Sequence, residues 1–290
     1  MHRFRPTLLT LVLVVVLVPV APALGQTRDT TPHTAPFFTY RDAVLLGAFG
    51  ASVLALDPLD RHFAARLQDP NNQNNRFLHG ASTFFRLMGQ PAPQIIAVGL
   101  YGVGRVARNQ RIEKLAVHGT EAMLLSTTVT TTIKVLAGRA RPRRDTTQAL
   151  GFKFGRGLPS FLGGEGSEFQ SFPSGHATTA FAVASAGTAE FSHWVDEWHS
   201  PQVYKFLVGS VLFGGATLVG MSRMYNNAHW ASDVMAGAAI GTFAGIKTVR
   251  YNYRHPSNKI ERWLVKVQVV PGHGPTPTRI GVGLGPGGPP

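Results

Sequence analysis

The sequence predicts an all-α protein, a bundle of about six to eight helices. Several apolar runs rich in Ala and Gly have the length of a helix, and Gly- and Pro-rich stretches separate them. The 290 residues are 44% apolar and 15% charged, which is too apolar and too poor in charge for a disordered chain. The chain has no cysteine, so disulfides, thiolate metal sites and cysteine nucleophiles are excluded.

The first 25 residues are typical of a secretory signal peptide. Two arginines lie in residues 1–5, residues 7–20 are almost wholly apolar, and the small residues Ala21, Ala23 and Gly25 follow. We expect cleavage after Gly25, with Ala23 as the alternative, and an uncleaved membrane anchor is the competing interpretation. Removing the two arginines lowers the net charge of +13 by only two, so the basic character belongs to the rest of the chain.

The N-terminal half is predicted to hold five helical segments. Residues 43–56 are apolar and have helical length. Residues 57–75 place Leu59, Phe63 and Leu67 at an amphipathic spacing and end in the turn or loop DPNNQNN. The further helical segments in this half are 77–88, 95–106 and 113–136.

The C-terminal half is predicted to hold three more helices after a glycine-rich loop. Residues 151–166 contain six glycines, which indicates a loop. The helices that follow it are 177–191, 203–219 and 232–249, and short strands are predicted at 266–270 and 279–282.

The predicted organisation is one helical domain with appendages at both ends. Its parts are a signal peptide at 1–25, a flexible leader at 26–41, the domain at 42–250 and a Gly- and Pro-rich tail at 251–290. A helix needs about 20 mostly apolar residues to cross a bilayer. We expect no run to supply them unbroken, because residues such as Glu121, Glu190 and Lys247 interrupt or end the candidates. A soluble bundle and a membrane-embedded one both stay open, and the lengths favour an exported bundle at a membrane surface.

The first motif is KVLAGRARP, which begins at Lys134. Lys134 and Arg141 are seven residues apart, two helical turns, so on one helix they would share a face. Arg139, Arg143 and Arg144 crowd the same place. The helix dipole favours cations at a helix C-terminus, which is the alternative explanation. The dipole does not explain why Lys134 lies in the apolar segment before these arginines. The motif therefore predicts a site for an anion.

The second motif is SFPSGH, which lies between the glycine-rich loop and an apolar helix. Ser174 is a good N-cap, and the free amide groups at a helix start bind anions. Gly175 would let the backbone approach a ligand closely. The alternative interpretation is an ordinary capped helix that carries His176 by chance.

The third motif is SRMYNNAHWASD, in which His229 and Asp233 are four residues apart. On a helix this spacing puts both side chains on one face. A carboxylate on one ring nitrogen would set the tautomer and leave the other nitrogen nucleophilic. Arg223 adds a planar guanidinium that can bind phosphate through two hydrogen bonds. An ordinary surface pair is the alternative.

Together, these motifs resemble the type 2 phosphatidic acid phosphatase (PAP2) and vanadium haloperoxidase superfamily. The pattern of that superfamily is Lys, six residues and Arg-Pro, then Pro-Ser-Gly-His, then Ser-Arg, five residues, His, three residues and Asp. The sequence matches all three parts without a substitution, and the resemblance spans residues 43–249. It implies a PAP2/haloperoxidase-like helical bundle.

The resemblance also implies a role for each motif residue. His229 would be the nucleophile that forms a phosphohistidine, Asp233 would orient it, and His176 would be the general acid. The phosphoryl group would be held by Lys134, Arg141, Ser174, Gly175 and Arg223. No metal and no cofactor are implied. The charge pattern further predicts that six cations surround this one pocket: Lys134, Arg139, Arg141, Arg143, Arg144 and Arg223.

The function predicted is a metal-independent phosphatase acting on a phosphomonoester or pyrophosphate, with a lipid such as a phosphatidate or a prenyl pyrophosphate as the substrate. The alternatives are a soluble non-specific acid phosphatase of the periplasm, a vanadate-dependent haloperoxidase and an inactive protein that binds phosphate or lipid. A nucleic-acid partner is not expected, since an exported chain with no recognition motif does not fit one. The protein is predicted in the periplasm or cell envelope, where a membrane surface is a candidate partner.

Overall fold

The computed structural model describes residues 39, 40, 42, 44, 57–144, 149–162, 167–255, 267–270 and 279–282. The predicted signal peptide, nearly all of the leader, the predicted helix at 43–56 except position 44, and most of the tail therefore lie outside the described residues.

The described chain is dominated by helices, which confirms the all-α fold class. The helices are α1 (Asp57–Leu67), α2 (Pro70–Gln73), α3 (Arg76–Gly89), α4 (Ala92–Val106), α5 (Gln110–Ala137), α6 (Gly157–Phe161), α7 (Gly175–Glu197), α8 (Val203–Tyr225) and α9 (Ala231–Arg254). The predicted strands are also present: β1 (Val267–Val270) pairs antiparallel with β2 (Arg279–Val282), with Val267 opposite Val282.

Two short helices lie where loops were predicted, so those two predictions were wrong in part. Asp69 caps α2, because its carboxylate accepts a hydrogen bond of 2.8 Å from the backbone amide of Asn71 and Pro70 starts the turn. Helix α6 is a single turn in the glycine-rich segment, where the amide of Leu158 donates to the carbonyl of Gly155 at 3.1 Å.

Helix α7 is the centre of the bundle and packs against α3, α4, α5, α8 and α9. Its contact with α9 is unusually close, because Gly237, Gly241 and Gly245 lie four residues apart on one face of α9. A Cβ atom at Gly241 would lie 2.2 Å from the carbonyl oxygen of Thr178, so no side chain fits between the two backbones. Phe181 of α7 and Phe213 of α8 are fully buried against each other.

One helix, α8, corrects the expectation that no segment is long and apolar enough to cross a bilayer. Among the described residues it alone meets that criterion, with 23 residues and a mean hydropathy of 1.5 over its most apolar window. The predicted run at 203–219 was too short because the helix continues to Tyr225. Length and composition alone are weak evidence for a membrane span, since a buried helix of a soluble bundle meets the same criterion.

Candidate active site

The three sequence motifs meet at one end of the bundle, where α5 and α8 end and α7 and α9 begin. Backbone hydrogen bonds join the motifs directly: the amide of Ser174 donates to the carbonyl of Asp233 at 2.9 Å, and the amide of Ser171 donates to the carbonyl of Arg139 at 3.0 Å. Residues 134, 174 and 233 are far apart in sequence, so the alternation of helix directions in the bundle creates this site.

His229 is buried, and its ring is held by a backbone carbonyl. Its Nδ1 atom lies 2.7 Å from the carbonyl oxygen of Ser171 and 3.6 Å from Oδ2 of Asp233. Nδ1–H therefore donates to Ser171, and Asp233 acts across a longer gap through its charge. This tautomer places the lone pair on Nε2, which is what a nucleophile requires. Burial lowers the pKa of His229 well below its usual value, and Lys134 and Arg141 lower it further.

Asp233 is fully buried and ionised. Its Oδ1 accepts a hydrogen bond of 2.6 Å from Arg139, and its Oδ2 accepts from the Trp230 amide at 2.9 Å and from the Ser171 hydroxyl. Burial alone would raise the pKa of this carboxyl, but Arg139, followed by His229 and Ser171, holds it well below its usual range. The negative charge of Asp233 would stabilise a positive charge that forms on the His229 ring.

Arg139 does not face the phosphate pocket, which corrects one of the six predicted positions. It is buried, and Nη2 contacts Oδ2 of Asp60 at 2.7 Å while Nη1 contacts Asp233. Asp60 also accepts a 2.7 Å hydrogen bond from the amide of Ser232. Arg139 thus ties α1 to the start of α9 and neutralises the carboxylate behind His229. Sequence reasoning missed Asp60, because its partner lies 79 residues away and no motif contains it.

Arg143 and Arg144 also have other partners. The Arg143 guanidinium pairs with the Glu168 carboxylate, with Nε 3.0 Å from Oε1, and both side chains are partly exposed. The Arg144 guanidinium lies 4.6 Å from the ring centroid of Phe169. Contacts with Glu168 and Phe169 therefore account for these two cations without a role in binding phosphate.

Lys134, Arg141 and Arg223 remain as the phosphate-binding candidates. Arg141 is half-buried, and its Nη1 donates to the carbonyl of Ala228 at 3.0 Å. Burial lowers the pKa of Lys134 to about 7, with a further contribution from Arg141. Arg223 differs from the other two because its Nε and Nη1 atoms are buried without a hydrogen-bond partner among the described residues. Burial lowers the pKa of Arg223 to about 10, helped by Arg141.

The start of α7 offers amide groups next to these cations. Ser174 is the N-cap, and its hydroxyl accepts from the amide of Ala177 at 3.5 Å. A Cβ atom at Gly175 would meet only the Cε atom of Lys134, at 3.8 Å, so space is open beside this amide. The first amides of a helix have no partner within it and attract anions.

His176 points to the same pocket from the first turn of α7. Burial lowers its pKa to about 3, and Arg223 and Arg86 add to this effect. A Cβ atom at Gly89 would lie 3.1 Å from Cβ and Cδ2 of His176, so α3 packs directly against the histidine. Sequence reasoning missed Arg86 and Gly89, because neither belongs to a motif and only the packing of α3 brings them here.

Among the described residues, no group of three His, Cys, Asp or Glu side chains is arranged to hold a metal ion. Metal-independent chemistry stays a prediction that only an assay tests.

The helix ends of this bundle gather two histidines, a buried carboxylate and three cations, which are the groups that binding of a phosphate requires. Residues 116–256 match the PAP2 superfamily, which is the superfamily that the three motifs resemble. The match covers helices α6, α7, α8 and α9 and most of α5.

Two curated proteins are similar to this chain. The lipid A 1-phosphatase of Porphyromonas gingivalis is 28% identical over 179 residues, which cover 61% of this chain and 33% of that protein. Lipid phosphate phosphatase 1 of Arabidopsis thaliana is 32% identical over 154 residues, 49% of this chain and 45% of that protein. The chain thus matches less than half the length of either relative. In the crystal structure of Aquifex aeolicus LpxE, 94% of that chain aligns with 67% of this one, at 22% identity and a TM-score of 0.45.

Proposed function

We propose that this protein is a phosphoric ester hydrolase that removes a phosphate group from a phosphorylated lipid through a phosphohistidine on His229. The observation that carries the proposal is the buried guanidinium of Arg223, whose Nε and Nη1 atoms have no partner in the described chain. A buried charge without a partner is costly, so a bound anion is the natural partner. The names of the curated relatives, a lipid A 1-phosphatase and a lipid phosphate phosphatase, support a lipid substrate.

In the first step, Nε2 of His229 attacks the phosphorus atom. A nitrogen–phosphorus bond forms, the ester oxygen–phosphorus bond breaks, and the leaving oxygen takes a proton from His176. Phosphoryl transfer depends mainly on positioning and on charge that meets the equatorial oxygens. Lys134, Arg141 and Arg223 supply that charge.

In the second step, water releases the phosphate. His176, now neutral, accepts a proton from the water molecule, whose oxygen attacks phosphorus while the nitrogen–phosphorus bond breaks. Free phosphate leaves and His229 is regenerated. Asp233 stabilises the charge on the His229 ring in both steps, and Ser171 keeps the ring in the tautomer with Nε2 free.

The surface of the bundle supports a lipid substrate over a soluble phosphoester. Helix α4 exposes Ile95, Val98 and Val106, which are 66%, 74% and 88% exposed, and α8 exposes Val211 at 74%. Large exposed apolar patches are typical of surfaces that contact a partner or a membrane. We propose that this face contacts lipid and that the protein works in the cell envelope after export.

The test is a substrate panel of phosphatidate, a prenyl pyrophosphate and p-nitrophenyl phosphate, assayed for phosphate release with a chelator present. We expect release from the lipid phosphates, and a fall of at least about 100-fold after His229→Ala. His199→Asn is the matched control, because His199 is exposed at the other end of α7 and Asn tolerates its positive φ of 51°. An unchanged rate in His229→Ala would exclude the covalent mechanism, and loss of activity with the chelator would exclude metal independence.

A further inference from the structure

A cavity of about 490 Å³ lies within the bundle, between α3, α4, α5, α7 and α8. Among the described residues, every side chain that lines it is apolar, and glycines complete its walls. Phe85, Leu100, Met123, Trp194 and Leu212 are representative of this lining. Ligand-binding pockets have volumes of about 300 to 1,000 Å³, and cavities without polar groups stay dry and accept apolar guests.

The cavity begins one helical turn from the candidate active site. On α7, Ala180 and Ala184 line the cavity and lie four and eight residues beyond His176, on the same face of the helix. On α8, Val219 and Ala216 line it and precede Arg223 by four and seven residues. The faces that present His176 and Arg223 to the phosphate therefore continue as the walls of the cavity.

The walls also extend far enough to hold a long chain. Residues from Ala180 to Trp194 on α7 line the cavity, a length of about 21 Å at a rise of about 1.5 Å per residue. Half the hydrocarbon core of a bilayer is about 15 Å thick. The exposed side chains of Ile96 and Val211 also contribute to the lining, so the cavity opens between α4 and α8 on the apolar face of the bundle.

We propose that this cavity binds one acyl chain of the lipid phosphate while the phosphate group occupies the pocket at His229. The inference rests on the proposed function and names the part of the substrate that the second site recognises. A cationic pocket that continues into an apolar cavity is complementary to an amphiphile with an anionic head and a hydrocarbon tail. Burial of methylene groups supplies binding free energy that a short-chain phosphoester lacks.

Two glycines allow the cavity to be filled without a steric clash. A Cβ atom at Gly215 or at Gly119 would have no neighbour within 4 Å, and the two residues line the cavity from α8 and α5. Gly214 is the matched control, because it is adjacent on α8, also has open space at Cβ and does not line the cavity. Leucine at any of these positions improves helix propensity by a similar amount.

The first measurement is kcat/KM for dipalmitoyl and dibutanoyl phosphatidate in mixed micelles of constant composition. We expect the ratio of long-chain to short-chain kcat/KM to fall at least about tenfold in Gly215→Leu and in Gly119→Leu, the effect of excluding about two methylene groups from apolar contact. The ratio should change less than about twofold in Gly214→Leu. Equal losses on both substrates, or an unchanged ratio in both cavity variants, would overturn the proposal.

The second measurement does not depend on hydrolysis. A phosphatidate with a diazirine in one acyl chain is photolysed on the His229→Ala variant, and mass spectrometry locates the attached residues. We expect attachment to the cavity-lining parts of α7 and α8, and its loss when Gly215→Leu is added. Labelling confined to the outer surface would overturn the acyl site, whereas labelling in the cavity without phosphate release from any substrate would contradict the proposed function alone.

Discussion

His176 and Lys134 both have a lowered pKa, so each holds its proton less tightly than it would in water. Burial lowers the pKa of His176 to about 3 and that of Lys134 to about 7. The nearby cations Arg141 and Arg223 contribute to these shifts, and a bound phosphate would offset their charge. We expect its arrival to raise both pKa values, which favours the protonated His176 that the proposed general-acid step requires. The charges of the pocket are therefore balanced only when a phosphate is bound.

The lowered pKa of Lys134 leads to a prediction about pH. Deprotonation removes a phosphate-binding charge, so kcat/KM should fall as the pH rises through about 7. Arginine keeps its charge at all accessible pH values, so Lys134→Arg should move this descending limb to higher pH by more than about one unit, even if its maximum rate is lower. The measurement is a kcat/KM profile between about pH 5 and about pH 9.

Lys205→Arg is the control for that profile, because Lys205 pairs with Asp196 at the far end of the bundle. Its descending limb should coincide with that of the unmodified protein. A limb that stays in place in Lys134→Arg would assign the titration to another group.

At the scale of the elements, the glycines of α9 connect stability to the active site. Gly237, Gly241 and Gly245 bring α9 against α7 so closely that Ser174 at the start of α7 can bond to the carbonyl of Asp233. Asp233 on α9 and the candidate residues Gly175 and His176 on α7 therefore lie on two helices whose separation depends on missing side chains. A change far from the chemistry should disturb both stability and rate.

Gly241→Ala tests this connection. The added methyl would lie 2.2 Å from the Thr178 carbonyl oxygen, so α7 and α9 must separate. We expect a loss of about 1 to 3 kcal/mol in unfolding free energy, seen as a lower Tm, together with a lower kcat. Gly99→Ala on α4 is the control, because its Cβ meets nothing within 4 Å and alanine favours a helix by about 1 kcal/mol. A Tm for Gly241→Ala equal to that of Gly99→Ala would contradict the argument.

At the scale of the whole molecule, the sequence predicts what depends on neighbours along the chain. Apolar periodicity predicts the long helices, and the order of motifs predicts that His176 and His229 belong to one site. Asp60 and Gly89 reach the site only through packing of α1 and α3, so no local pattern reveals them. The prediction that Arg139 faces the phosphate pocket was wrong for the same reason. The sequence shows the cluster of cations around Arg139 but not its pairing with the buried carboxylates of Asp60 and Asp233. The apolar cavity is equally invisible, since its small residues come from several helices.

The exposed apolar face determines how the whole molecule should behave in a cell. Val98 and Val211 are each 74% exposed, on the two helices between which the cavity opens. Salt screens ionic contacts with anionic headgroups but leaves apolar contacts intact. We therefore expect the protein to stay with membranes through a high-salt wash and to be released by detergent, which is firmer attachment than the surface location that the helix lengths favoured. Fractionation followed by immunoblotting measures this.

The double variant Val98→Lys, Val211→Lys should shift the protein toward the soluble fraction, because two charges on this face oppose contact with hydrocarbon. Gln94→Lys adds a charge to α4 at an exposed position that is already polar, so it should fractionate like the unmodified protein. Release of the unmodified protein by salt alone would contradict this prediction, because it would show that electrostatic attraction and not the apolar face holds the protein to the membrane.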